Sequence, residues 1–248
     1  MNSFQELPVD LLLKLKKIDP LNWINTLKKT EIHNVFINIP INLSDKSKKL
    51  LIIVIGPSGG GKDTIIQAVL DAKLANQAIT ATSRKRRVED NEPEWKFTWM
   101  DGKLENESEI EYESRLVKKY DLIEHDAHFG KVYGLPRANL IKAFEAGKPV
   151  IMTGENRSLV TLTKELKDTY NIVSIFITAD SYETMFERIK NRENVLSRME
   201  KAPTEINDAK DQVNFVLLNP GINESEVAIH NIQDSMKSLV EKLIKELT

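Results

Sequence analysis

Residues 50–64 read LLIIVIGPSGGGKDT, an apolar run that passes directly into a glycine-rich turn. The run Leu50–Ile55 predicts a buried strand, and the apolar spacing of Asp63–Ala75 predicts a helix. A glycine-rich turn in this context is typical of a phosphate-binding loop (P-loop), because its backbone N–H groups and the helix N-terminus both attract phosphate oxygens. Lys62 would place a positive charge between the β- and γ-phosphates of ATP. The alternative is an ordinary flexible turn. The predicted ATP-binding residues here are Gly56, Pro57, Ser58, Gly59, Gly60, Gly61, Lys62, Asp63 and Thr64.

The candidate metal ligands are Asp63 and Thr64, at the start of the predicted helix. Asp63 stands where such loops usually have a Ser or Thr whose hydroxyl binds Mg²⁺, and Thr64 follows it. A carboxylate next to a triphosphate is repulsive unless a cation lies between them. Asp63 is therefore expected either to help hold Mg²⁺ or to face away from the phosphates, and the sequence leaves both options open.

Composition excludes several classes of function. The 248 residues carry a formal net charge of −2, so they show no overall bias toward nucleic acid or an anionic membrane, and no nucleic-acid or membrane partner is expected. The chain has no cysteine, which excludes disulfides, cysteine-ligated zinc and thiolate catalysis. The longest apolar run, Leu50–Ile55, is far too short to span a bilayer, and the start Met1–Asp10 does not resemble a signal peptide. A cytoplasmic location is expected.

Residues 1–48 read differently from the rest and are interpreted as an N-terminal appendage of unknown role. Helical spacing is present at Pro8–Ile18 and Pro20–Lys29, and Phe36–Leu43 is a candidate strand. These elements could dock a protein partner or pack on the core, and the sequence does not decide between the two.

Residues 49–248 alternate strand and helix patterns, which predicts an α/β fold of the P-loop NTPase type, with a parallel sheet flanked by helices. Charged residues and aromatics interrupt this rhythm at about residues 81–134, so an inserted subdomain is predicted there. The elements predicted after the first strand and helix are the helix Ala138–Ala146, the strand Val150–Thr153, the helix Leu159–Asp168, the strand Ile172–Thr178, the helix Tyr182–Asn191, the strand Phe215–Leu218 and the helix Ser225–Leu247.

Two segments of the interrupted region carry motifs of a known family. Residues 82–87 read TSRKRR and residues 95–97 read WKF. With GPSGGGK in the loop, they resemble the guanylate kinase family, and the likeness extends over nearly all of residues 50–247. In that family the T-T-R-x-P-R segment has two arginines that bind the phosphate of the acceptor; they fall on Arg84 and Arg87, and paired guanidinium groups suit that task. Trp95 replaces the tyrosine of the family's Y-x-F motif.

The same resemblance implies a site for the base of the acceptor. Residues 122–124 (LIE) and 130–134 (GKVYG) are similar to F-I-E-W and G-N-Y-Y-G at the family's spacing. Glu124 would accept the N1–H and N2–H donors of guanine, which adenine lacks, and Tyr133 would bind the acceptor phosphate. The region 81–134 would therefore be an acceptor-binding subdomain. The residues predicted to bind the acceptor are Thr80, Arg84, Arg87, Trp95, Glu124, Tyr133 and Glu155.

Several positions depart from the family pattern. Residues 147–155 (GKPVIMTGE) align with the strand that ends in D-x-D in guanylate kinases. Thr153 replaces the first Asp, which helps organise magnesium in the family, and Glu155 replaces the second, which contacts guanine. Leu135 stands where the family has a base-contacting Ser or Thr.

Three arginines resemble those of the family's lid, which closes over the ATP phosphates. Arg188 and Arg192 are one helical turn apart and Arg198 follows, so a short lid is predicted at about residues 188–202. Asn219 is similar to the Asn of the family's N-D dipeptide near the adenine, with Pro220 in place of Asp. The residues predicted to be catalytic are Lys62, Arg84, Arg188, Arg192 and Arg198.

The resemblance implies phosphorylation of a nucleoside monophosphate, GMP to GDP, with ATP and Mg²⁺ and direct in-line transfer. Two alternatives remain. Ribose 1,5-bisphosphate phosphokinases are similar in the G-K-D-[ST] loop and in a G-x-x-R stretch that Gly154 and Arg157 match. A guanylate-kinase-like module without catalysis could instead bind a protein partner, with residues 1–48 as the candidate contact. His125 and His128 are interpreted as local hydrogen-bonding residues, because transfer to a phosphate needs no general base.

Overall fold

The computed structural model describes residues 3–17, 19–41, 43, 45–86, 93, 96–128, 130–221 and 226–247. After a 3-10 turn at Phe4–Glu6, the described helices are α1 Val9–Lys17, α2 Pro20–Ile24, α3 Lys62–Asp71, α4 Glu109–Tyr120, α5 Arg137–Glu145, α6 Asn156–Leu166, α7 Tyr182–Ile189, α8 Val195–Ala209 and α9 Glu226–Leu247. The described strands are β1 Lys28–Lys29, β2 Val35–Ile37, β3 Lys49–Ile55, β4 Asn76–Gln77, β5 Ala81–Thr82, β6 Thr98–Trp99, β7 Leu122–His128, β8 Lys131–Pro136, β9 Val150–Thr153, β10 Tyr170–Ala179 and β11 Phe215–Asn219.

The main sheet has the order β1-β2-β11-β10-β3-β9-β4. Neighbouring strands from β11 to β4 run parallel, and β3, whose six residues Leu50–Ile55 are all buried, lies in the middle. A strand that is apolar at every position belongs in a sheet covered on both faces, which is the α/β arrangement that the sequence predicts. The sheet is not wholly parallel, because β2 pairs antiparallel with β11 and β1 pairs antiparallel with β2.

The N-terminal residues that the structure describes pack on the core of the main sheet. Leu11, Leu15 and Ile24 are buried in the same apolar cluster as the sheet and its helices. Trp23 contacts Phe176 of β10 edge to face, with ring centroids 5.6 Å apart. The segment therefore contributes both an edge strand and part of the core. Among the described residues, the strand expected at Phe36–Leu43 is shorter and begins one residue earlier, because only Val35–Ile37 is paired.

A second sheet lies in the region where the sequence predicts an insertion. Its order is β6-β5-β8-β7, and α4 packs against β7 and β8. A separate small core fills this unit, with Tyr112 and Leu116 of α4 among its buried residues. The capping box at the start of α4 satisfies the first backbone donors of the helix, since Ser108 and Glu111 bond reciprocally.

Helix α8 was not predicted from the sequence. It contains Pro203, which removes a backbone donor and normally ends or kinks a helix. Tertiary packing outweighs that cost, because Met199, Ala202, Ile206 and Ala209 are all buried along one face. Within the described ranges, no helix is both long enough and apolar enough to cross a membrane.

Candidate active site

The P-loop connects β3 to α3 with backbone conformations that favour glycine. Gly56 has φ +142°, and a Cβ built on it would lie 2.1 Å from the backbone oxygen of Ile177. Gly59 has φ +85°, and a Cβ there would lie 2.5 Å from the backbone oxygen of Met185. The loop thus lies directly against β10 and α7, and a side chain at either position would force these elements apart.

Lys62 begins α3 and turns back onto the loop. Its Nζ donates to the carbonyl oxygens of Gly56 and Pro57, at 2.5 and 3.1 Å. Burial lowers the pKa of Lys62, and the negative charges of Glu205, Asp63 and Glu155 oppose that change in this order. The ammonium group is therefore held by the loop in surroundings that penalise its charge.

Asp63 lies at the rim of the loop. Its Oδ2 atom is 3.3 Å from Nζ of Lys96, which belongs to the second-sheet unit. Its side chain is 68% exposed, so this ion pair is a weak surface contact. Among the residues that the structure describes, no group of three or more His, Cys, Asp or Glu side chains is arranged to hold a metal ion.

Two cavities meet at the P-loop, and Ser58, Lys62 and Asp63 line both. The first cavity, of about 210 Å³, opens toward the second-sheet unit. The second, of about 470 Å³, opens toward α7 and the end of β11 and includes Thr64. Lys62 therefore lies between the two cavities.

Four residues predicted to bind the acceptor line the first cavity together: Thr80, Glu124, Tyr133 and Glu155. Glu124 is 6% exposed, and its Oε2 accepts a hydrogen bond of 2.5 Å from the Ser158 hydroxyl. Burial raises the pKa of Glu124, and this hydrogen bond opposes the rise. Ser158 and Asp126 also line this cavity, and sequence reasoning had not identified either of them.

Arg84 is not among the residues that line this cavity. Its guanidinium lies over the rings of Phe97 and Trp99, 5.0 and 5.4 Å from their centroids. It lines a neighbouring basic groove of about 710 Å³, which also contains Lys85 and Arg86. Phe97 lines the first cavity, so Arg84 adjoins that cavity across an aromatic ring. Arg87 and Trp95 lie outside the residues that the structure describes.

The arginines predicted to form a lid contact the P-loop itself. Arg188 donates to the carbonyl oxygen of Gly59 at 3.0 Å, and Arg198 donates to the hydroxyl of Ser58 at 3.0 Å. Arg192 lines the second cavity with Arg188. Asn219 donates to the Gly60 carbonyl oxygen at 2.8 Å. Three of these four residues thus bond directly to the loop.

Glu205 of α8 was missed at the sequence level and lines the first cavity. Its Oε2 atom is buried and accepts no hydrogen bond from the residues that the structure describes. Burial raises the pKa of Glu205, and Lys62 is the first of the charges that lower it. A helical pattern over 199–209 would have placed Glu205 two turns after Arg198, on the same side of one helix.

His125 bonds locally, as expected. Its Nε2 atom is 2.8 Å from Oε1 of Glu113 on α4, and neither residue lines a cavity at the loop. The side chain of His128 lies outside the described part of the structure.

The chain is similar to known proteins both in sequence and in fold. A family model described as "Guanylate kinase" matches residues 47–239. The guanylate kinase of Clostridium tetani (strain Massachusetts / E88) is 27% identical over 201 residues, which cover 79% of this chain and 90% of that protein. The guanylate kinase of Rickettsia felis is 29% identical over 195 residues, which cover 75% and 94%. The crystal structure of guanylate kinase from Anaplasma phagocytophilum has the same fold, with a TM-score of 0.55, 20% identity and coverage of 79% of this chain and 87% of that one.

Proposed function

Because this chain belongs to the guanylate kinase family, whose model matches residues 47–239, we propose that it transfers the γ-phosphoryl group of ATP to GMP. The proposal is based on the position of Lys62, which lies between two cavities. Ser58, Lys62 and Asp63 line both of them. A phosphotransferase needs the two substrates to meet at one charged group, and this arrangement supplies it.

The second cavity is proposed as the ATP side. The P-loop amides and Lys62 would bind the phosphates, and Asn219, which is bonded to Gly60, would lie near the adenine. Arg188 and Arg192 line the same space, so they can neutralise charge on the transferring group. Residues 188–202 are proposed as the lid, because Arg188 and Arg198 each reach the loop from this segment.

The first cavity is proposed as the acceptor side. Glu124 is fixed by Ser158, and a buried carboxylate needs donors to offset its lost hydration. Guanine offers N1–H and N2–H on one edge, whereas adenine has no such pair. Thr80, Tyr133 and Glu155 line the rest of the proposed acceptor site.

The acceptor phosphate is proposed to bind at the basic end of the second-sheet unit. Arg84 adjoins the cavity across Phe97 and continues into a groove with Lys85 and Arg86. Arg87 and Trp95 are proposed contacts on the strength of the motif alone. Residues 81–134 are accordingly proposed as the acceptor-binding subdomain of a domain formed by residues 49–248.

The side chains at the start of α3 fit Mg²⁺ that arrives with ATP. Mg²⁺ in kinases is usually held by one or two protein oxygens and the substrate phosphates, and the described residues contain no larger cluster that would bind it alone. The Asp63 carboxylate and the Thr64 hydroxyl are oxygen donors beside the loop, so they are the proposed ligands. When bound, the ion would neutralise charge on the β- and γ-phosphates.

The proposed mechanism relies on position and charge. Lys62 donates from its ammonium group to the transferring phosphate, and the arginines of the lid exclude water that would otherwise hydrolyse ATP. The acceptor phosphate is already anionic near neutral pH, so no side chain has to remove a proton from it. Residues 1–48 are proposed to support the fold, since those that the structure describes share its core.

A coupled assay of ADP release tests the proposal, with GMP, dGMP, AMP, UMP and ribose 1,5-bisphosphate as acceptors. Turnover is expected with GMP and dGMP. Turnover with ribose 1,5-bisphosphate alone would reassign the acceptor, and no turnover with any acceptor would favour a non-catalytic binding module. Lys62→Met supplies the matched background, because it keeps the length of the side chain and removes the charge.

A further inference from the structure

We propose that the N-terminal segment, residues 3–17, positions the lid by packing on the two helices that carry its arginines. Phe4 and Leu11 are the positioning residues of this arrangement, and they hold α7 and α8 close to the P-loop. The consequence for catalysis rests on the proposed function. The restraint on the two helices does not, and it can be measured without any substrate.

The N-terminal segment lies outside the part of the chain that the guanylate kinase model matches, which begins at residue 47. Its 3-10 turn, Phe4–Glu6, packs on α7, and α1 packs on α8. The lid, residues 188–202, begins in the last turn of α7 and ends within α8. The N-terminal segment therefore contacts both of the helices from which the lid is built.

Phe4 makes the contact with α7. Its ring lies edge to face on that of Phe186, with the ring centroids 5.9 Å apart. Phe186 and Arg188 are two residues apart in the helix, so their side chains project from nearly opposite faces of α7. Arg188 donates to the carbonyl oxygen of Gly59 in the P-loop, at 3.0 Å. Helix α7 is thus held between the N-terminal segment on one face and the P-loop on the other.

A small tilt of α7 would be felt at the P-loop, because the helix and the loop are in backbone contact. A Cβ built on Gly59 would lie 2.5 Å from the backbone oxygen of Met185. Arg188 also donates to the carbonyl oxygen of Pro220, at the end of β11 that adjoins the proposed adenine site. Movement of α7 away from the loop would lengthen both hydrogen bonds of Arg188.

Leu11 and Leu15 form the buried face of α1. They are one helical turn apart and only 3% and 2% exposed, and they belong to the same apolar cluster as Met199 of α8. Arg198, which precedes Met199 in α8, donates to the hydroxyl of Ser58 in the P-loop at 3.0 Å. The second arginine that reaches the loop therefore also comes from a helix on which the N-terminal segment packs.

Arginines that already lie near the loop need little further ordering when ATP binds, and less ordering means tighter binding. A restrained lid also admits less water to the phosphates. We therefore expect the N-terminal segment to act on the ATP side of the site. Its effect on the acceptor should be small, because none of the described residues that line the first cavity belongs to α7.

The first test is hydrogen–deuterium exchange of the full chain without nucleotide. Phe4→Ala and Leu11→Ala are each expected to speed amide exchange roughly tenfold in residues 182–202, while β3 keeps the wild-type rate. Phe4 is only partly buried, so its truncation does not open the core. Leu13→Ala is the matched control for Leu11→Ala and should leave exchange unchanged, because Leu13 is 57% exposed on the other side of α1.

Unchanged exchange in residues 182–202 of both variants would overturn the proposal. An equal rise in β3 would overturn it too, since that result means general destabilisation rather than release of the lid helices. Trp23→Ala separates these effects, because it also removes an N-terminal ring from a buried Phe, but Phe176 lies on β10. It is expected to lower Tm without a selective rise in residues 182–202, and a selective rise as large as that of Phe4→Ala would contradict the assignment to Phe4.

Kinetics then test the effect on the reaction. With ATP and GMP, Phe4→Ala is expected to raise KM for ATP about fivefold and to increase ATP hydrolysis without acceptor, with little change in KM for GMP. Phe4→Leu keeps an apolar side chain against Phe186 and should recover most of the wild-type values. Equal changes in both KM values, in proportion to the fall in Tm, would indicate a merely structural role. A wild type that is inactive toward GMP would refute the proposed function but leave the exchange result standing.

Discussion

Substitution Glu124→Gln should abolish most guanine-dependent turnover while leaving the fold at least as stable. The amide keeps the size of the carboxylate, which is 6% exposed, so no cavity forms. It can still accept from the Ser158 hydroxyl through its oxygen, but its NH₂ group would then face a guanine donor.

The magnitude follows from the hydrogen bonds that change. A bond to a charged group is worth about 1.5–3 kcal/mol, and the substitution removes the charge from two such bonds and turns one into a donor–donor contact. A loss of about 3–4 kcal/mol corresponds to a fall in kcat/KM for GMP of roughly 10²–10³. KM for ATP should change little, because Glu124 does not line the second cavity.

Stability and pH provide a second readout for the same variant. Burial raises the pKa of Glu124, so the folded state binds this proton more tightly than the unfolded state does. The carboxyl therefore destabilises the fold progressively as pH rises from the unfolded pKa through the folded one. Glu124→Gln should remove that penalty and give a Tm equal to or above that of the wild type at pH 7. In the wild type, kcat/KM for GMP should fall as pH drops through the raised pKa.

The assay compares kcat/KM for GMP and AMP in the wild type, Glu124→Gln and Glu145→Gln, an exposed control on α5. A wild type that uses AMP as well as GMP, or a Glu124→Gln protein with full GMP activity, would refute the assignment of base recognition to this residue.

Three further outcomes are expected. Lys62→Ala should stay folded by circular dichroism and lose roughly 10² or more in kcat, since it removes charge from the transferring phosphate; near-normal ADP release would contradict the kinase assignment. Asp63→Ser should shift the Mg²⁺ dependence of turnover, and an unchanged Mg²⁺ titration would show that the carboxylate does not act on the metal. Trp23→Ala should lower the free energy of unfolding, measured in urea, by about 3–5 kcal/mol, because it removes the ring that packs on Phe176. A decrease below about 1 kcal/mol would show that the N-terminal helices are not part of the core.

Elements with strong local patterns could be predicted from the sequence. The strand Val150–Thr153 has the predicted bounds, and α7 begins at Tyr182 as expected. These segments are continuous apolar runs or have clear helical spacing. The N-terminal strands β1 and β2 are only two and three residues long, and β2 pairs with β11, which lies far along the chain.

The positions of the candidate site residues were predictable where a motif fixes the backbone, and less so where tertiary contacts orient a side chain. Thr80, Glu124 and Tyr133 line one cavity because they lie on or beside strands β5, β7 and β8. The Arg84 guanidinium lies over the rings of Phe97 and Trp99, and this orientation cannot be predicted from the spacing of its motif. Glu205 was not predicted because it lies on α8, and Pro203 within that segment argues against a helix.

The pairing of β2 with β11 has a consequence for synthesis of the protein. Val35 emerges from the ribosome long before its partner Leu217 is synthesised. Until then the apolar residues of the N-terminal segment have no complete core to cover and are open to chaperones or to other nascent chains. A stop codon or a truncation within β11 should therefore leave β2 and β10 each with an unpaired edge and direct the product to aggregation or proteolysis.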